Sequence, residues 1–73
     1  MTTFEYLLVT FSEHRTVLAN DLPVGVTNHI ILLPPGDYTI KLDGGGYTPD
    51  HQDIELDGTS PVRPCVVVFQ AAK

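Results

Sequence analysis

The side chains that could do chemistry in this chain are few. Three histidines, His14, His29 and His51, accompany nine carboxylates, so nitrogen and oxygen donors for a metal are present in number. Their placement in polar, turn-rich stretches is that of ordinary surface histidines, and no metal site is expected. Asp43, Asp50 and Asp53 lie within ten positions of one another, with the Gly44-Gly45-Gly46 triplet between the first two. A calcium loop needs close alternating oxygen ligands and a bidentate acid, whereas glycines add only neutral carbonyls, so a solvated turn is the expectation. The triplet is not a phosphate loop either, because no Lys-Ser or Lys-Thr follows it and no helix opens behind it. Ser12, His14 and Asp21 hold the three groups of a hydrolytic triad, but no nucleophile elbow surrounds Ser12. The single cysteine, Cys65, excludes an internal disulfide and a cysteine-rich zinc site. It alternates with Val67 and Phe69 and reads as a packing thiol. These residues predict no enzyme, no catalytic residue and no cofactor.

The chain that must position them has 73 residues, room for one domain over 1–73. Four Lys+Arg against nine Asp+Glu give a net charge of -5 and a pI near 4.7. So acidic a chain with so few cations is not expected to bind nucleic acid. A hydrophobic share of 42% with 18% charged residues is the composition of a folded globule. Apolar runs are only a few residues long, so no membrane insertion is expected. Met1-Thr2-Thr3-Phe4 lacks the basic start of a signal peptide. A cytoplasmic location follows if Met1 is the native start, and an extracytoplasmic one if the domain is excised from a longer exported protein.

Six Gly and six Pro punctuate the chain at Leu22-Pro23-Val24-Gly25, Pro34-Pro35-Gly36, Gly44-Gly45-Gly46, Asp57-Gly58 and Ser60-Pro61. The intervals between them are too short for ordinary amphipathic helices. They suit short strands of a sandwich or barrel. In 37–42, Tyr38, Ile40 and Leu42 share one face, and Asp37, Thr39 and Lys41 the other. In 52–56, Ile54 and Leu56 oppose Asp53 and Glu55. Each alternation predicts a half-buried strand with one wet side.

Three segments differ. In 4–11, Phe4, Tyr6 and Leu8 share one side and Leu7, Val9 and Phe11 the other; 65–69 and 30–33 are also apolar on both sides. A sandwich has one core, so one side of such a strand needs cover from loops, a partner or a second copy. A domain this small buries only about 60% of its unfolded surface, which favours association. A homodimer or larger assembly is expected, with Leu7, Val9, Phe11, Val66 and Val68 as its candidate interface.

The connections have their own signals. Asn20-Asp21 suits a tight turn because both residues tolerate left-handed backbone. Pro34-Pro35-Gly36-Asp37 predicts a type II turn with positive φ at Gly36. The glycine triplet costs about 1 kcal/mol per residue relative to Ala in unfolded-chain entropy, so it should answer a need for positive φ or close approach. Tyr47 would then fold over the core edge. Asp43, Gly44, Gly45, Gly46, Tyr47, Asp50 and His51 form the candidate binding patch, a long loop on a rigid scaffold, with a solvated hairpin end as the plain alternative.

The order of these motifs resembles a PEGA domain. The resemblance rests on 17–27 with its Gly25-Val26-Thr27 step, on Leu33-Pro34-Pro35-Gly36-Asp37-Tyr38, and on Gly46-Tyr47, with 54–58 and 66–69 as closing strands. It covers about Thr10 to Phe69. The chain departs from the family pattern at Asn28, where proline is usual, and at Glu13-His14-Arg15-Thr16, where Pro-x-Gly-Ala is common. The resemblance implies an all-β fold: a small antiparallel β-sandwich of about seven short strands, transthyretin- or immunoglobulin-like. It also implies a non-catalytic interaction or structural module that binds another protein or a cell-surface component. A carbohydrate- or small-ligand-binding sandwich is the alternative, disfavoured by the absence of tryptophan.

Overall fold

A computed structural model describes residues 4–72; Met1-Thr2-Thr3 lie outside the described residues. The fold is all-β. Among the described residues nine strands run in order: β1 Glu5–Thr10, β2 Thr16–Ala19, β3 Leu22–Val26, β4 Ile30–Leu33, β5 Gly36–Leu42, β6 Tyr47–Thr48, β7 Gln52–Leu56, β8 Cys65–Val68 and β9 Gln70–Ala71. They form a three-stranded sheet β4-β1-β8, a four-stranded sheet β3-β2-β5-β7 and a two-stranded ribbon β6-β9. Six pairings build these sheets, and all but β1 with β8, which is parallel, are antiparallel.

The inner faces of the two larger sheets meet in one apolar cluster. Leu7, Val9, Ile31, Leu33 and Val67 come from one sheet, and Val17, Ala19, Ile40, Leu42 and Leu56 from the other, with Phe11 and Phe69 closing an end. β5 and β7 are the half-buried strands expected: Ile40, Leu42 and Leu56 point inward, and Asp37, Asp53 and Glu55 face solvent.

For β1 the structure corrects the interface assignment. Leu7 and Val9 are 0% exposed and Phe11 8%, so these three belong to the core and offer nothing to a partner. The reason is register. Leu7 stands opposite Ile31 on β4 and Cys65 on β8, and Val9 opposite Val67, so the three strands turn that set of side chains inward together. Val66 and Val68 point the other way, outward.

Asn20 and Asp21 have φ of 51° and 67° and join β2 to β3 as the two-residue left-handed turn expected. Val17 faces Gly25 and Leu18 faces Pro23, leaving Val24 as the extra residue of a bulge. β3 is thus an edge strand that tolerates its proline. Gly36 has φ of 151°, far from the +80° or so of a type II turn; it begins β5 instead, and the Tyr38 hydroxyl donates to the Pro34 carbonyl at 2.6 Å.

Asn28 stands where a proline could not. Its φ is 66° and its N–H donates to the Val9 carbonyl at 2.7 Å, neither of which proline can do. Its side-chain amide accepts from Phe11 N–H at 3.2 Å and donates to Phe11 C=O at 2.9 Å. It thereby acts as one more ladder partner beyond the end of β1.

Candidate functional site

The loop patch is built inward. Gly44 and Gly46 have φ of 84° and 80°, the positive values the triplet was expected to need. The carbonyls of Asp43 and Gly45 both accept from Arg15 Nη1 at 3.0 Å, while Arg15 Nη2 meets Glu13 Oε1 at 3.0 Å. The guanidinium also sits 5.3 Å from the centre of the Phe11 ring. These two carbonyls are therefore held by the chain itself.

Tyr47 does fold over the core edge. Its ring packs edge-on against Phe11 and Phe69, at 6.4 and 5.3 Å between centres. Its hydroxyl donates to the Leu42 carbonyl at 3.0 Å. Asp50 and His51 lie exposed beyond it, with Asp50 Oδ1 3.0 Å from His51 Nδ1 and Asp53 Oδ2 4.0 Å from His51 Nε2. The seven patch residues thus divide into an internally bonded loop and an exposed acid–imidazole pair.

The reactive groups are scattered. Asp21 pairs with Lys41 Nζ at 3.1 Å, while His14 stacks on His29 with ring centres 5.6 Å apart, so Ser12, His14 and Asp21 are not joined. Among the described residues no three His, Cys, Asp or Glu side chains group to hold a metal. Cys65 is partly buried, and burial pushes its thiol above the ordinary range, which lowers its thiolate fraction near neutrality.

One groove escaped sequence reasoning. An open hollow of about 460 Å³ is lined by Asn20, Asp37, Tyr38, Thr39, Asp53 and Ile54. Three of its residues are hydrogen-bonded together: Thr39 N–H donates to Asn20 Oδ1 at 2.9 Å and the Thr39 hydroxyl to Asp53 Oδ1 at 2.8 Å.

The most distinctive surface is the outer face of the three-stranded sheet. Ile30 stands opposite Leu8, and Leu8 opposite Val66; Leu32 stands opposite Tyr6, and Thr10 opposite Val68. Ile30, Leu32, Val66 and Val68 are 47%, 52%, 54% and 51% exposed, while Tyr6 and Leu8 between them are half-buried. Phe4, just ahead of β1, is likewise half open. No strand residue on this face carries a charge. The carboxylate of β1, Glu5, points inward, accepting from Thr59 N–H and the Thr59 hydroxyl, each at 2.7 Å. These bonds, the backbone one foremost, hold its pKa below the usual carboxylate value. The opposite sheet presents Asp37, Thr39, Lys41, Asp53 and Glu55 outward.

The molecule is thus an all-β globule of sandwich form with one apolar and one charged outer face. No family model matches the chain, no curated protein matches it, and no solved structure matches it. No helix among the described residues is long and apolar enough to cross a membrane.

Proposed function

We propose that this chain is a non-catalytic interaction or structural module that docks a protein through the outer face of β4-β1-β8. The observation that carries this reading is the row of half-exposed apolar side chains, Ile30, Leu32, Val66 and Val68, set around Tyr6 and Leu8. A sandwich ordinarily turns polar residues outward, as the four-stranded sheet does here, and a contiguous apolar face marks a contact surface. The resemblance to PEGA domains, which serve as accessory modules, agrees with it. The experiment is capture of protein from the native source on immobilised chain, with Leu32→Lys and Val66→Lys against a Glu55→Lys control. The lysine variants on the apolar face should lose the captured protein while the control keeps it. Equal capture by all three would overturn the reading.

A small-ligand module is the second reading, favoured by the groove beside Tyr38 and Asp53. It ranks below the first because Asn20 Oδ1, the Thr39 hydroxyl and Asp53 Oδ1 in the groove are already engaged in bonds within the chain. Chemical shifts of Thr39 and Ile54 that move on titration with oligosaccharides would support it; shifts that stay fixed would remove it.

A further inference from the structure

The docking face has the properties of a surface made for its own copy. We infer that two chains stack the outer faces of β4-β1-β8 against each other about a two-fold axis, forming a four-layered homodimer; this rests on the reading of that face as the binding surface.

The first ground is area. Five side chains about half open to solvent, Phe4, Ile30, Leu32, Val66 and Val68, expose on the order of 500 Å², the size of the largest and often functional patch on a monomer. Two such faces together bury about 1,000 Å², the threshold of a specific interface, before any polar rim is counted.

The second ground is charge. In a two-fold contact each residue meets the same patch on the other copy, so a charged patch would oppose itself. The strand residues here, Tyr6, Leu8, Thr10, Ile30, Leu32, Val66 and Val68, are all uncharged. The net charge of -5 resides elsewhere, and the one acid of β1 is turned inward onto Thr59.

The third ground is the poverty of the edges. β4 and β8 are the outer strands of this sheet, each four residues long. Pro34 and Pro35 follow β4 and Pro64 precedes β8, and Gln52 Nε2 caps the Val68 carbonyl at 2.7 Å. Short edges bounded by prolines resist strand addition, whereas two twisted sheets of the same hand pack readily face to face.

Sedimentation equilibrium of the full chain over a concentration series tests the inference. The expected result is a reversible dimer, with Leu32→Lys and Val66→Lys each raising the dissociation constant at least tenfold and Glu55→Lys, which lowers the net negative charge, not raising it. Methyl spectra of the unaltered chain give a second measurement independent of how the variants fold. On dilution the signals of Ile30, Leu32, Val66 and Val68 should move and those of Ile54 and Leu56 stay. A monomer at millimolar concentration, or a dimer indifferent to both lysine variants, overturns the inference. A monomer that still loses its captured protein on Val66→Lys overturns the homodimer alone, because the docking reading then stands with another occupant.

Discussion

Two polar side chains facing inward show how much of this fold depends on single atoms. Glu5 is buried on the core side of β1 and is held ionised by the N–H and hydroxyl of Thr59. Its folded pKa lies below the ordinary value. The stability it contributes is therefore complete above the unfolded carboxyl's pKa, about 4.3, and is lost as pH falls through the lower, folded value. Urea midpoints measured between pH 7 and pH 3 should fall more steeply for the natural chain than for Glu5→Gln, and Glu5→Gln should be the less stable at pH 7. Parallel curves would show that the carboxylate contributes no pH dependence. Thr27 is the second case. Its buried hydroxyl accepts from Arg15 N–H at 2.9 Å and donates to the Glu13 carbonyl at 2.7 Å. Thr27→Val keeps the shape and orphans both groups, which should cost about 1–3 kcal/mol. The urea midpoint should drop with its slope unchanged.

At the scale of strands, the contact between β3 and β4 is closed by a missing side chain. A Cβ at Gly25 would stand 2.7 Å from Ile31 Cγ1 and 3.0 Å from its Cδ1, and Ile31 is core. Gly25→Ala should destabilise by about 1–3 kcal/mol through overpacking. Combining it with Ile31→Ala should cost less than the sum of the two, and strict additivity would rule out the clash. The Gly25-Val26-Thr27 step thus has a packing reason at its glycine and a hydrogen-bonding reason at Thr27. β5 and β7 could be read directly, because their alternating acids leave only one side for the core. β1 could not. Its residues are apolar on both sides, and its only acid, Glu5, belongs to the side that turns inward. That local cue misleads because the groups that satisfy Glu5 lie 54 residues away in the chain. Pairing with β4 and β8 decides which side is core: it buries Leu7, Val9 and Phe11, against the interface expected of them, and leaves Val66 and Val68 exposed. β6 and β9, two residues each, are too short to show a period. In the loop patch, positive φ at the glycines and the packing of Tyr47 followed from residue type. The grip of Arg15 on the Asp43 and Gly45 carbonyls reaches across 28 and 30 positions and left no local trace.

For the whole molecule, the segregation of charge from the apolar face gives self-association a definite sign in salt. Each copy carries -5, so two copies repel at long range, while the described strand residues of the proposed contact face are uncharged and offer no ion pair to be screened. The Debye length falls from about 30 Å at 0.01 M to about 8 Å at 0.15 M ionic strength. Added salt removes the repulsion and leaves the apolar contact intact. The homodimer should therefore tighten severalfold over that range, measured by sedimentation at constant pH. Lowering the pH toward the pI near 4.7 should act in the same direction until the loss of net charge lowers solubility. A complex held by this chain's carboxylates against a basic protein would weaken with salt instead. The sign of the salt response thus tests the dimer built on Ile30, Leu32, Val66 and Val68: self-association that weakens with salt needs acids of one copy against Lys or Arg of the other, and would overturn the apolar contact.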